Sequence, residues 1–136
     1  MNNLGQHWLE ANVDLLSMHI TLYDSARDAT YDLFQFNNVE CLQVLFSYLL
    51  EVGGFYKDRP ELKSEATTIF QCFTISREER QKCLQQIVSG DCMVFMVKFI
   101  EYMSAERELN FVQDNMQIFR EKYVVDFFTT SLGCRV

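Results

Sequence analysis

An all-α bundle is the fold class this sequence predicts. Apolar residues recur at steps of three and four almost throughout, and one proline (Pro60) and five glycines are the only strong breakers in 136 residues. The third observation is the run CMVFMVKFIEYM, Cys92 to Met103, whose only charges are Lys98 and Glu101. A helix that is apolar on every side must be surrounded by other helices, and this run is far short of the roughly 20 residues a membrane span needs. It is therefore expected to be the central post of a single soluble domain, residues 1–136, with about seven or eight helices.

The remaining elements follow in chain order. A first helix is expected from about Asn3 to Asp24, with one apolar stripe of Leu4, Trp8, Ala11, Leu15, Met18 and Leu22 and a second of Leu9, Val13, Leu16, Ile20 and Tyr23. SARDAT, Ser25 to Thr30, reads as a polar loop. A second helix runs from about Val39 to Tyr56, weakened near its end by Gly53-Gly54. Pro60 can open a short third helix carrying Leu62, Ala66, Ile69, Phe70 and Phe73. Ser76 with Glu79 has the spacing of a capping box for a fourth helix reaching Val88. Ser89-Gly90 stops the chain before the central helix. Ser104 would cap a following helix with Leu109, Val112, Met116 and Phe119 inward, and Val124, Val125, Phe127 and Phe128 form a last amphipathic piece.

Composition narrows the function. Twelve Lys and Arg against nineteen Asp and Glu give a net charge of −7, so the summed field repels phosphate backbones and anionic lipid, and no nucleic-acid partner is expected. Five cysteines (Cys41, Cys72, Cys83, Cys92, Cys134), none in CxxC spacing, read as small buried hydrophobes in a reducing compartment. MNNLGQHW lacks the basic start and apolar run of a secretory signal, and TTSLGCRV offers no hydrophobic tail, so no transmembrane segment is expected.

Catalytic chemistry is not evident. His7 and His19 fall in the same expected helix, twelve residues apart, without HExxH spacing or neighbouring Cys ligands. GxxxxGK[ST], GxGxxG and GxSxG are absent, and acidic pairs such as Glu78-Glu79 and Glu106/Glu108 suit helix starts. No cofactor or metal is expected, and the chain is expected not to be an enzyme.

Leu45, Leu49, Val52, Gly53 and Tyr56 stand at i, i+4, i+7 and i+11 with a small residue after the third anchor, which resembles the BH3 motif of the Bcl-2 family. Ser89-Gly90-Asp91 before the apolar helix looks like that family's Asn-Trp-Gly-Arg turn and central helix, with Gly90 on its Gly and Phe95 on a central aromatic. Phe111 to Thr130 is similar to its sixth helix and closing segment. The resemblance covers roughly Leu42 to Thr130. Gly54 replaces the motif's Asp, Asp91 stands where its Arg usually sits, and the turn's Trp is missing, which looks most like the divergent Bcl-2-like proteins of large DNA viruses.

This resemblance implies an inhibitor of apoptosis that sequesters BH3 helices of pro-apoptotic proteins in a groove, by protein–protein contact alone. The groove would involve Tyr56, Arg59, Leu62, Ala66, Ile69, Leu84, Ile87, Val88, Gly90, Asp91 and Val94, with Arg59 or Arg80 supplying the cation that Asp91 cannot. A homodimer hiding the unliganded groove is implied too, as is a place in the host cytoplasm with recruitment to mitochondria through partners. The alternative is a Bcl-2-like viral scaffold without a working groove that interferes with innate immune signalling.

Overall fold

The computed structural model describes residues 2–3, 7–26, 32–62, 72–87 and 90–133. The fold is mixed α/β, not an all-α bundle. Among the described residues, β1 (Asn2–Asn3) and β2 (His7–Trp8) form a short antiparallel ladder. Strands β3 (Glu10–Asp14), β4 (His19–Tyr23) and β5 (Thr74–Arg77) form a three-stranded sheet in that order. Four helices accompany them: α1 (Asp32–Val52), α2 (Phe55–Asp58), α3 (Cys92–Ser104) and α4 (Met116–Gly133). Single 3₁₀ turns occupy Pro60–Leu62 and Gln113–Asn115.

The expected first helix is a β-ribbon. Leu9, Ala11, Val13 and Leu15 alternate along one side of the chain, as do Ile20 and Leu22, and every second step of a period of two is also an i, i+4 step of a helix. The ambiguity is broken by the turn between them. The Asp14 carboxylate accepts hydrogen bonds from the N–H groups of Leu16 (2.8 Å) and Ser17 (3.2 Å) and from the Ser17 hydroxyl (2.7 Å), and Met18 takes a positive φ of 54°. Val13 then pairs antiparallel with Ile20 and Glu10 with Tyr23. Leu9, Ile20 and Leu22 are fully buried, whereas Leu16, at the turn, is exposed.

The expected fourth helix is also absent. Ser76 lies inside β5, opposite Thr21 in the parallel β4–β5 pair, and its hydroxyl meets His19 Nε2 at 2.7 Å. The Glu78 N–H continues the ladder to the Leu22 carbonyl at 2.9 Å, so no capping box forms with Glu79. Only one turn follows, closed by Cys83 N–H donating to the Glu79 carbonyl.

Helix α1 covers most of the expected second helix. It ends at Gly53-Gly54, where Gly54 adopts φ 74°. Its buried side carries Val39, with Leu42, Phe46 and Leu50 half-buried beside it, and Leu45, Leu49 and Val52 are exposed. Tyr56 belongs to the separate helix α2. The BH3-like stripe is thus not one helical face. Pro60 opens only a 3₁₀ turn, and the expected third helix beyond Leu62 lies outside the described residues up to Gln71.

Helix α3 is where the sequence puts it, yet it is not wrapped on all sides. Val94, Phe95, Lys98 and Phe99 are buried, and Met93 and Ile100 are exposed. Ser104 ends α3 instead of capping a new helix, and α4 begins only at Met116. Val124, Val125, Phe127 and Phe128 on α4 are exposed. Lys98 is buried under α4 because its ammonium lies 4.1 Å from the Phe119 ring centre and 2.5 Å from Glu101.

Two hydrophobic clusters flank the sheet. Leu9, Ile20, Leu22, Val39 and Phe73 pack between one sheet face and α1. Cys83, Val94, Phe95, Phe99, Phe111 and Met116 pack between α3, α4 and the other side, which Tyr23 reaches through its ring, 5.9 Å from Phe99. Helices on both faces of a sheet leave the strand ends and the start of α3 as the open edge where side chains can converge.

Candidate active site

Strand β4 ends at Tyr23, and the next residue, Asp24, turns inward to 2% exposure. A buried carboxylate must be paired, and this one is. His7 Nε2 meets Asp24 Oδ1 at 2.6 Å, the Ala26 N–H donates to the same oxygen at 2.9 Å, and the Arg77 guanidinium is ion-paired with Oδ2. Burial alone pushes the Asp24 carboxyl up; the hydrogen bonds from His7 and Ala26 and the neighbouring positive charge outweigh it, so it titrates below the usual carboxylate range. An ionised Asp24 only accepts, so His7 Nε2 carries the proton and Nδ1 is the nitrogen left for proton transfer.

The segment before α3 is fastened to the same strand end. The Asp24 carbonyl accepts from Gln85 Nε2 (2.9 Å) and the Cys83 thiol (3.3 Å), and the Ser25 carbonyl accepts from the Gln86 N–H (2.7 Å). Gly90, at φ 97°, then turns the chain into α3, whose first residue is Cys92. Asp91 does not cap the helix with its side chain. It is buried and held sideways by an ion pair to Arg120 and a hydrogen bond from Gln113 Nε2. The first-turn N–H groups of α3 are therefore not taken up by the Asp91 side chain, and they lie at the end of the helix that Cys92 opens. Helix α3 packs against β2, the strand that carries His7.

A cysteine at a helix start, a histidine on the strand packed against that helix and a buried carboxylate bonded to the histidine are the residue types of a nucleophile–base–orienter set of the kind used for acyl transfer. Residues 1–133 match the model of the Ulp1 protease family, C-terminal catalytic domain. The chain belongs to the Ulp1 protease family. It is also similar to a sentrin-specific protease of Caenorhabditis elegans, 28% identical over 130 residues, which covers 96% of the chain and 16% of that relative's length. The chain thus spans about one sixth of that relative's length.

Membership in the Ulp1 family overturns the Bcl-2 resemblance, and with it the viral reading, the BH3 partners, the groove-hiding homodimer, the innate-immune scaffold and the expectation of no enzyme. The structure gives the physical reason. Val94 and Leu84 pack in the cluster under α3, whereas Tyr56 donates to Met18 Sδ at 3.7 Å beside the other cluster, across the sheet. Arg59 is exposed and paired with Glu61 at 2.5 Å, and Arg80 sits in the exposed turn after β5. Leu62 ends a 3₁₀ turn, Ile87 is exposed with its N–H on Gln113 Oε1, and Gly90 and Asp91 form the turn before Cys92. Ala66, Ile69 and Val88 lie outside the described residues.

Spacing along the chain puts His7 in a helix and Cys92 among core hydrophobes, so it does not single out His7, Asp24 and Cys92 as a group. The available signal was the chain order of a histidine, an aspartate and then a cysteine at a Gly-Asp turn opening a helix, partners that meet in space and not in sequence.

Close to the site, Glu10 on β3 pairs across to Tyr23 and has a buried Oε2 without a hydrogen-bond partner among the described residues. Burial raises its carboxyl to about 7. A carboxyl whose folded pKa lies above its unfolded value favours the fold fully below that unfolded value, and the advantage is lost as pH rises through the folded one. Stability should therefore fall between about pH 4.5 and 7, by on the order of 1 kcal/mol after discounting for water on the open side. Glu10→Gln should flatten that slope in urea titrations at several pH values. An unchanged slope would assign it to another group.

Proposed function

We propose that this chain carries the catalytic centre of a cysteine protease that cleaves sentrin from its conjugates, with Cys92 as nucleophile, His7 as general base and acid, and Asp24 as the residue that orients His7. The observation that carries the reading is the 2.6 Å His7–Asp24 hydrogen bond on a strand packed against the helix that Cys92 opens. The family match supports proteolysis, and the name of the Caenorhabditis elegans relative supports sentrin as the modifier.

In this mechanism the Cys92 thiol gives its proton to His7 Nδ1 and the sulfur attacks the carbonyl carbon at the modifier's C-terminus. The carbonyl electron pair moves to oxygen, where the first-turn N–H groups of α3 receive the charge. Gln86, held beside Ser25 by its backbone N–H, is the side chain suited to join them, since its carboxamide nitrogen can donate. The C–N bond breaks as His7 returns the proton to the leaving amine, and water, deprotonated by His7, then hydrolyses the thioester. Asp24 stays ionised and holds the imidazole.

A sentrin bearing a C-terminal vinyl sulfone tests this directly. The Cys92 thiolate should add to the vinyl carbon, the adjacent carbon taking up a proton, and peptide mass spectrometry should find the adduct on Cys92. Labelling of Cys41 or Cys72 instead, or no adduct with sentrin alongside labelling by a different modifier's probe, would sink the sentrin-directed reading.

A further inference from the structure

The Asp24 carboxylate serves two cationic partners. Both of its oxygens are engaged, Oδ1 by His7 and the Ala26 N–H and Oδ2 by Arg77. The side chains of Arg77 and Asp24 are 3% and 1% exposed, so water cannot replace either. The β4–β5 register delivers the arginine: Leu22 stands opposite Arg77, two residues before Asp24. Strand β5 thus reaches the proposed triad through a side chain from outside it. A lone buried carboxylate beside an imidazole strongly favours imidazolium, whereas a carboxylate already neutralised by a guanidinium orients the ring without forcing it to stay charged.

We infer that Arg77 is a positioning residue that shares the Asp24 carboxylate with His7 and thereby sets how readily His7 holds a proton. The inference rests on the protease reading for its consequence in catalysis. The other groups around the carboxylate do not provide this charge. Cys83 is neutral, its thiol pushed up to about 12 by burial, and Gln85 is uncharged. Glu78, beside Arg77, and Tyr23, whose hydroxyl is pushed up first by burial and then by Glu78 and Glu10, bring no positive charge. Cys92, on α3, lies on the far side of His7 in the mechanism above. Arginine suits the position because its planar fork stays charged at every working pH.

The test reads His7 itself. The chain has two histidines, so their ring signals are readily assigned by NMR. In a Cys92→Ala background, where no thiolate couples to the imidazole, Arg77→Gln should raise the His7 titration midpoint by about one pH unit, and Arg77→Lys should bring it most of the way back. In the chain with Arg77 intact, the guanidinium resonances should shift with the same midpoint as His7, a readout that holds even if Arg77→Gln does not fold. With Cys92 present, the limb of the kcat/KM profile set by the imidazolium should move upward with the NMR midpoint in Arg77→Gln while KM changes little. Guanidinium resonances flat through the His7 titration, or an unmoved midpoint in Arg77→Gln, would overturn the inference. Coupling by NMR in a chain whose sentrin hydrolysis survives Cys92→Ala would instead overturn the assignment of Cys92 as nucleophile and leave the charge sharing in place.

Discussion

Cys92→Ala should abolish hydrolysis of a sentrin C-terminal amide, lowering kcat by about 10⁴-fold or more, and Cys92→Ser should do nearly the same. Loss of the nucleophile in a triad removes the covalent route altogether, and what remains comes from binding and the oxyanion donors. Serine does not substitute because its hydroxyl ionises far less readily than a thiol and is the weaker nucleophile. Both variants should fold, since Cys92 is the first residue of α3 and neither replacement is larger than cysteine. Far-UV circular dichroism matching the parent, together with lost turnover, is the expected result. Another cysteine is poorly placed to take over: Cys83 is held neutral by burial, and Cys41 lies on α1, which packs on the opposite face of the sheet from α3. Turnover within tenfold of the parent in Cys92→Ala would refute the assignment of the nucleophile.

Phe95→Ala should destabilise the fold by about 3–5 kcal/mol. Phe95 is 0% exposed, and its ring lies 6.1 Å from Phe99 and 5.7 Å from Phe111, at the centre of the cluster that fixes α3 against the sheet and α4. The cavity left by the ring is lined by other aromatic rings that cannot collapse into it without losing their own contacts. The substitution lies less than one helical turn from Cys92, so activity should fall with stability as the start of α3 loosens. Urea titrations of parent and variant measure the difference, and a loss below about 1 kcal/mol would show that the cluster tolerates the cavity.

Helix α3 and much of α1 were legible because their signals are local. Twelve residues with two charges have few other choices, and Gly53-Gly54 ends α1 with a positive φ that other residues adopt at a cost. Residues 9–23 look helical in sequence because a period-two apolar pattern contains i, i+4 pairs, and only the Asp14 turn, with Met18 at positive φ, folds that pattern into a hairpin. The same ambiguity hides the site, since a histidine assigned to the first helix has no reason to meet an aspartate seventeen residues away. Ser76 and Glu79 show the limit of motif spacing. The spacing suits a helix cap, but pairing with β4 offers Thr74–Arg77 ladder hydrogen bonds and burial of Ile75 that a cap cannot match.

By itself the sequence determined that an apolar helix begins at Cys92 after a Gly-Asp turn, that Phe95 belongs to a core, and that the chain carries a net charge of −7. Those properties reside in composition and in neighbours along the chain. Only the tertiary structure decided that Cys92 opens a helix packed against the strand of His7. His7, Asp24 and Arg77 come from three different strand ends, and their proximity exists only once β4 has paired with β5 and β2 has met α3. Charge pairing in a water-poor site depends on distances that no spacing along the chain encodes, because the strand register and the packing of α3 set them together.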